Sequence, residues 1–270
     1  MHICINLNPR SLLKMSKLPK EHRFIDLSDY GRPAAKAIAN SLKNTDVTPV
    51  HVTIAFVVSG LVAIACMLQG LVWAAALFFI LKSVLDAADG ELARIKQTPS
   101  YTGRFLDSVA DIILNLLILI GLWLITDTNL LFMVLAFIGL QLQGTLYNYY
   151  YVILRNNFDG DKTSRIIENK TPLAMPGEKQ KNVDMLFRLY RILYGKFDEF
   201  IFMLDPQAAN SNAFPNWFMT LVSTFGLGFQ LLIISIMLVM GWIDFIIPFF
   251  IFYSLFIFIF IGIRKIWLPD

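Results

Sequence analysis

A stretch rich in acidic residues, DAADGELARIKQTPSYTGRFLDSVAD at residues 86–111, lies between two long apolar runs. The apolar runs have the length and composition of membrane-spanning helices, and an acidic side chain at the centre of such a helix costs about 3 kcal/mol to insert. A membrane helix keeps several acids where they bind something, most simply a cation. The chain is therefore expected to fold so that a helix bundle holds this stretch in place.

The composition is that of a protein that crosses the membrane several times. Apolar residues make up 56% of the 270 residues and charged residues only 16%, which leaves too little polar surface for a soluble domain. The predicted fold class is an all-α integral membrane protein with about six transmembrane helices. These spans are expected at residues 50–69, 71–90, 105–126, 130–152, 216–240 and 242–263.

Lysine and arginine residues are distributed in a way that predicts the orientation of the spans. Of the 23 such residues, eight precede the first span, three lie between the second and third, nine between the fourth and fifth, and two follow the sixth. The remaining one, Lys82, lies inside the second span, and the connections on the opposite side carry none. By the positive-inside rule, both termini and the acidic stretch face the cytoplasm. If the source is a bacterium, the membrane is the inner, cytoplasmic one.

Two amphipathic helices are predicted outside the spans, at residues 30–42 and 184–204. Each is expected to lie on the cytoplasmic face of the membrane, although an ordinary solvated leader explains the first segment equally well. The chain thus divides into four parts: a cytoplasmic N-terminal segment at 1–47, spans one to four at 48–152, a cytoplasmic insert at 153–215, and spans five and six with a short tail at 216–270.

The acidic stretch places its functional side chains on two helix faces. Successive residues of a helix rotate by about 100°, so one face of span two carries a set of motif residues. This set is Asp86, Asp89, Gly90, Ala93 and Arg94. On span three, Gly103, Asp107 and Asp111 repeat every fourth residue and form one stripe. A loop of about ten residues brings the two faces together, so four carboxylates are expected to converge on one cavity.

Converging carboxylates repel one another unless cations neutralise them, and hard oxygen ligands suit Mg²⁺ or Mn²⁺. Two such ions are able to clamp a phosphate group during an in-line displacement. Gly90 and Gly103 leave room for a ligand, and Arg94 matches phosphate oxygens with a forked pair of donors. Lys82, one turn before Asp86, is expected to balance charge or to extend its ammonium to the membrane surface; the alternative is that it pairs with Asp86 or binds an acceptor phosphate.

The complete pattern D-x2-D-G-x2-A-R-x8-G-x3-D-x3-D occupies 26 residues of this chain. It resembles the signature of the CDP-alcohol phosphotransferase family, also called the CDP-alcohol phosphatidyltransferase family. The six-span layout extends the resemblance over most of the chain, apart from the tail and the insert. One departure lies at the start of span one, where members often carry a Thr-Pro-Asn element and this chain has Thr48, Pro49 and Val50.

The resemblance implies a role for each position of the signature. Asp86 and Asp107 would each bridge two divalent ions, Mg²⁺ or Mn²⁺. Asp89 would complete the first metal site and Asp111 the second, and Asp111 would also be the general base that takes the proton of the acceptor hydroxyl. The residues implied in binding CDP are Gly90, Ala93, Arg94, Ser100 and Gly103.

The implied activity is phospholipid synthesis, in which a phosphoalcohol group passes from a CDP-linked donor to an alcohol and CMP is released. The preferred donor is CDP-diacylglycerol with a small polar alcohol as acceptor, and the alternative is a donor of the CDP-choline or CDP-ethanolamine type with a lipid alcohol. The expected partners are these two substrates, the lipid bilayer and a second copy in a homodimer, and no nucleic acid.

Other protein classes remain open as interpretations of the same acidic stretch. The alternatives are a membrane scaffold without catalytic activity, an ion pathway lined by carboxylates, and an intramembrane prenyltransferase. The last of these would need a second aspartate-rich segment, and the later spans contain almost no acids.

Overall fold

The computed structural model describes residues 18–19, 22–158, 168 and 170–268. Parts of the predicted N-terminal segment and of the predicted insert therefore lie outside the described residues, namely 1–17, 20–21, 159–167 and 169, as do 269–270. Within the described ranges the regular secondary structure is helical, and no strand occurs. The predicted all-α fold class is confirmed.

The helices follow the order of the predicted segments. The first six are α1 (Arg32–Leu42), α2 (Pro49–Leu68), α3 (Val72–Lys96), α4 (Tyr101–Ile125), α5 (Leu130–Asn157) and α6 (Gln180–Leu204). Four more helices follow, α7 (Asn216–Val222), α8 (Leu227–Val239), α9 (Ile243–Tyr253) and α10 (Phe256–Trp267).

Four helical stretches of the described chain are long and apolar enough to cross a membrane. They are Pro49–Leu68, Tyr101–Ile125, Leu130–Asn157 and Ile243–Trp267. A fifth is added if Asn216–Phe225 and Leu227–Val239, which meet at a bend of 56°, count as one span. The α3 helix, which contains the predicted second span, is not among them, because charged side chains interrupt its apolar sequence. The count of six spans therefore stays a prediction.

The α3 helix packs against α1, α2 and α8 and leaves one apolar stripe exposed, at Trp73, Leu77 and Leu81. Its apolar half joins the main core, where Phe56, Phe79, Leu119 and Phe250 are all completely buried. Many large apolar side chains of the described helices are instead exposed, as expected of surfaces that face lipid tails. The charged half of α3 therefore faces protein and the cavity described below.

The α1 helix packs on this charged half of α3. Its Ala35 and Ala39 are completely buried against Ala88 and Leu92 of α3. Because alanine side chains are short, the two helices approach closely. A helix thus occupies most of the residues predicted for the first amphipathic segment, whereas its position on the membrane face stays a prediction.

The α6 helix packs along α4 through an aromatic cluster. The ring of Phe105 lies 5.5 Å from that of Phe187 and 5.3 Å from that of Tyr190, measured between centroids. The opposite side of α6 exposes Met185, Ile192 and Met203. One apolar face of α6 thus packs on protein, and the exposed one is of the kind that lies in a membrane interface.

A buried ion pair fixes the end of α6. Asp205 follows the last residue of α6 and pairs with Arg264 of α10, and both side chains are almost completely buried. The Tyr150 hydroxyl of α5 donates a hydrogen bond of 2.8 Å to the same carboxylate. Three helices are therefore joined at this point, and α6 is held against the bundle.

Candidate active site

The acidic stretch folds as a tight helix–turn–helix. The α3 helix ends at Lys96, and Gln97 adopts a left-handed conformation with φ of 54°, which turns the chain. Ser100 caps α4, because its hydroxyl oxygen accepts a hydrogen bond of 2.8 Å from the Gly103 N–H. A turn at residues 97–100 therefore places the motif face of α3 beside that of α4.

Three of the four motif acids converge. Carboxylate oxygens of Asp86, Asp89 and Asp107 lie within 4.8 Å of one another. Asp89 accepts a hydrogen bond of 2.7 Å from the Thr53 hydroxyl of α2, while Oδ1 of Asp107 is buried and has no hydrogen-bond partner among the described residues. Converging hard oxygen donors, one of them unsatisfied, fit a divalent cation such as Mg²⁺ or Mn²⁺.

The fourth acid, Asp111, does not belong to this group of three. Its carboxylate forms an ion pair with the ammonium of Lys82, whose side chain is 1% exposed. The same ammonium lies 3.8 Å from Oδ2 of Asp86 and 4.9 Å from the centre of the Phe56 ring. Lys82 therefore lies between two of the predicted metal ligands, where its charge offsets theirs.

Arg94 is held by a buried acid that the sequence analysis did not include in the site. Oε1 of Glu91 lies 3.1 Å from Nη2 of Arg94 and 2.5 Å from Nη1 of Arg32. Nε of Arg94 is buried and has no partner within the described part of the chain. Helical phase places Glu91 off the motif face. Its position three residues before Arg94 was nevertheless a signal in the sequence that the two side chains could form an ion pair.

The two motif glycines lie beside Ser100 and Arg94, and a side chain would be crowded at Gly103 only. A Cβ atom at Gly103 would lie 3.1 Å from the Ser100 hydroxyl oxygen, tighter than an ordinary contact with the atom that caps α4. A Cβ atom at Gly90 would lie 3.5 Å from the Arg94 guanidinium. Glycine at position 103 therefore leaves the helix cap undisturbed, whereas a Cβ atom at position 90 would only touch the arginine.

A cavity of about 640 Å³ contains most of the predicted site. Eight predicted residues line it: Asp86, Asp89, Gly90, Ala93, Arg94, Ser100, Gly103 and Asp107. The lining also includes Thr48, Pro49 and Val50, so the departure from the Thr-Pro-Asn element lies in the cavity wall. Asp111 and Lys82 are not in this lining, and they lie deeper along the same two helices.

Two segments far from the motif also line the cavity. One is residues 26–29, where Asp26 accepts a hydrogen bond of 2.6 Å from the Tyr147 hydroxyl. A Cβ atom at Gly228 would collide with the Ser28 carbonyl oxygen, so α8 approaches this segment closely only because it has glycine there. The other segment is residues 176–178. Neither segment was predicted to belong to the site, since their sequences carry no signal for it.

Comparison with known families agrees with the signature. Residues 46–174, slightly under half of the chain, match the family model described as CDP-alcohol phosphatidyltransferase. The match includes the whole acidic stretch and runs past residue 152 into the predicted insert. No curated protein matches the chain. The family resemblance is confirmed, and the chain carries a CDP-alcohol phosphatidyltransferase domain at residues 46–174.

Proposed function

We propose that this protein is a membrane enzyme of phospholipid synthesis, which transfers a phosphatidyl group from CDP-diacylglycerol to the hydroxyl of a small polar alcohol and releases CMP. The observation that carries the proposal is the convergence of Asp86, Asp89 and Asp107 on the cavity that also holds Arg94. An acid cluster of this kind inside a domain of this family suits binding of a diphosphate through divalent ions.

Asp86, Asp89 and Asp107 would hold one divalent ion, and Asp111 would complete a second site with the bridging acids. When bound, Mg²⁺ or Mn²⁺ would offset the negative charge that develops on the phosphate oxygens during transfer. The unsatisfied Oδ1 of Asp107 supports this assignment, because a buried oxygen without a partner is costly unless a ligand satisfies it.

The protein side chains would then orient the substrates. Arg94, held by Glu91, would pair with an oxygen of the donor diphosphate. Asp111 would take the proton of the acceptor hydroxyl as its oxygen attacks the phosphorus, and the bond between that phosphorus and the oxygen of CMP would break. Lys82 would hold the Asp111 carboxylate in one orientation.

The acceptor would approach along α6. Tyr194 of this helix stacks on Tyr190 with 5.3 Å between ring centroids and interacts electrostatically with Asp111 and Asp107. Burial, and then the negative charge of Asp111, raise the pKa of the Tyr194 hydroxyl well above its ordinary value. A neutral hydroxyl that feels the charge of the proposed base is suited to hydrogen-bond an alcohol, so we infer that α6 borders the acceptor entrance.

The membrane arrangement that fits this function has six spans, with α3 as the second and the bent pair of α7 and α8 as the fifth. Both termini and the cavity would face the cytoplasm, and α1 and α6 would lie at that surface. We further propose that the enzyme is a homodimer, as is common in the family.

The experiment that tests this function measures CMP release by the purified protein in detergent with Mg²⁺. CDP-diacylglycerol is combined with a panel of small polar alcohols, for wild type and for Asp111→Asn. Release that requires one acceptor and disappears in the variant is the expected result. Release only from CDP-choline or CDP-ethanolamine with a lipid alcohol would reverse the donor assignment, and no release from any pair would favour a scaffold.

A further inference from the structure

The carboxylate of Glu178 receives four hydrogen bonds at the start of α4. Oε1 accepts from the Ser100 hydroxyl and from the Thr102 N–H, each at 2.7 Å. Oε2 accepts from the Tyr101 N–H at 3.2 Å and from the Met175 N–H at 3.0 Å. Glu178 lies 76 to 78 residues further along the chain than its partners on α4, so it joins the insert to the motif turn.

These contacts satisfy groups that a helix cannot satisfy alone. The first N–H groups of a helix have no partner within it and are met by caps, water or ligands. Here the Ser100 hydroxyl serves Gly103, and Glu178 serves the two N–H groups before it. The negative carboxylate also lies at the positive end of the α4 dipole, which favours its ionised form.

The Glu178 carboxylate is ionised at neutral pH. Its burial would raise its pKa, but the hydrogen bonds from Ser100, Met175 and Thr102 outweigh this effect and lower the pKa below its ordinary value. An ionised carboxylate accepts hydrogen bonds at both oxygens, whereas an amide of the same size offers one acceptor and two donors. The four contacts therefore require a carboxylate.

The segment that carries Glu178 is itself held in shape. Gly177 has φ of 91°, a conformation that glycine adopts far more readily than other residues, and it turns the chain into α6. The Gln180 side chain donates to the Pro172 carbonyl at 3.1 Å and accepts from the Ala174 N–H at 2.8 Å. Residues 172–178, which we call the strap, are thus folded onto the first turn of α6.

The strap meets the cavity at the end formed by the motif turn. Pro176 and Gly177 line the cavity together with Ser100 and Gly103, two residues that the family signature implies in CDP binding. Asp111, the proposed base, does not line this cavity. The strap therefore borders the donor side of the site and not the side where the acceptor would react.

The turn itself depends on such support. Gln97 is the one residue other than glycine with positive φ in the described chain, and a residue held in this conformation costs about 1 kcal/mol. Such a conformation persists where the surroundings determine it. The Glu178 contacts begin three residues after Gln97, at Ser100, and they help to hold Gln97 in this conformation.

We propose that Glu178 is a positioning residue for the donor nucleotide: it holds the turn at residues 97–100 in the conformation that binds CDP, with the strap as the adjoining wall. The proposal rests on the function proposed above and extends the donor site beyond the matched domain, which ends at residue 174. The insert thereby becomes part of the substrate site.

The test compares Glu178→Gln with Glu199→Gln in the full-length protein. Glu199 belongs to α6, the helix that follows the strap, but it is exposed and its contact is an ion pair of 2.9 Å with Lys196. Calorimetry with CDP and Mg²⁺, and CMP release at varied donor and acceptor concentrations, are measured for both. Glu178→Gln is expected to weaken CDP binding and to raise the donor KM about tenfold, with the acceptor KM unchanged, whereas Glu199→Gln changes neither.

Further variants separate positioning from a merely structural role. Glu178→Asp keeps the charge and should therefore bind CDP more tightly than Glu178→Gln does. If Glu178→Gln does not fold, Glu178→Asp takes its place in every comparison. Ser100→Ala combined with Glu178→Gln should weaken binding by less than the sum of the two single effects, because both remove one shared contact.

Unchanged CDP affinity and donor KM in a folded Glu178→Gln protein would overturn the proposal. Equal rises in the donor and acceptor KM would also overturn it, because they indicate a general loss of structure. A wild-type protein that binds CDP but releases no CMP would instead refute the proposed function, and CDP binding would still test the role of Glu178.

Discussion

Lys82 of α3 and Asp111 of α4 form an ion pair whose lysine side chain is almost completely buried. The same ammonium is within 3.8 Å of Asp86, so a single cation serves acids on both motif helices. A buried charge is costly without a partner, and each member of the pair therefore depends on the other. Lys82 thus contributes to the site through the acids that it holds.

Replacing Lys82 by methionine should damage both stability and activity. Loss of one partner of a buried ion pair typically costs about 3 kcal/mol, because the other charge stays buried and unpaired. We expect a lower unfolding temperature in detergent and a loss of CMP release, whereas Lys82→Arg, which keeps the charge, should retain more of both. Wild-type behaviour of Lys82→Met in the two assays would contradict this role.

Tyr194→Phe tests the proposed acceptor side of the site. The change removes only the hydroxyl near Asp111, so we expect the acceptor KM to rise about tenfold while the donor KM stays the same. Tyr190→Phe is the matched control. The Tyr190 ring stacks on that of Tyr194 one turn away on the same helix, but its hydroxyl donates a hydrogen bond of 3.1 Å to Asp198. An unchanged acceptor KM in Tyr194→Phe would remove α6 from the acceptor entrance.

Gly228→Ala should displace residues 26–29 from the cavity wall. Its new methyl group would collide with the Ser28 carbonyl oxygen, and overpacking of this kind costs about 1–3 kcal/mol. We expect lower thermal stability and weaker CDP binding. Gly262→Ala is the control, because a Cβ atom there meets no atom within 4 Å. Equal thermal stability of the two variants would contradict the prediction, because it would mean that residues 26–29 move aside without loss of stability.

Asp198 of α6 predicts a pH dependence of stability. Burial raises its pKa to about 6 from an ordinary 3.8, although a hydrogen bond from Tyr190 acts in the opposite direction. The folded state therefore binds the proton more tightly than the unfolded state does. The stabilisation is complete below about pH 4 and is lost as the pH rises through about 6, an effect of roughly 2–3 kcal/mol.

Asp198→Asn should remove this dependence, because the amide stays neutral and still accepts the Tyr190 hydrogen bond. We expect the variant to unfold at a higher temperature than wild type at pH 7 and at a similar temperature near pH 4, as thermal unfolding in detergent would measure. A constant difference between the two proteins across this range would refute the assignment.

The sequence was sufficient to predict which motif residues share a helix face. Helical periodicity alone places Asp86 and Asp89 on one side of α3 and Asp107 on one side of α4. The connection that brings the faces together is shorter than the expected ten residues, because α3 continues to Lys96 and α4 begins at Tyr101. It was not sufficient to place Asp111 with Lys82, since that depends on the distance between the helices and on the length of the lysine side chain.

Contacts between distant segments lay beyond sequence reasoning. Glu178 and Ser28 reach the cavity through the packing of α6 and α8, which no local pattern encodes. The same holds for bends: the predicted fifth span is bent by 56° near Gly226, and the predicted sixth consists of two helices, α9 and α10. Apolar composition predicts that a segment is buried in lipid or protein, but it does not predict where its helix breaks.

The most direct test of the account is metal dependence of CMP release, with metal binding measured separately. Wild type in chelator should release no CMP and should recover with Mg²⁺ or Mn²⁺. Asp107→Asn should bind Mn²⁺ more weakly in calorimetry while its unfolding temperature stays close to that of wild type. CMP release that persists in chelator, or equal Mn²⁺ affinity of wild type and Asp107→Asn, would contradict the claim that the acid cluster holds the divalent ions of the reaction.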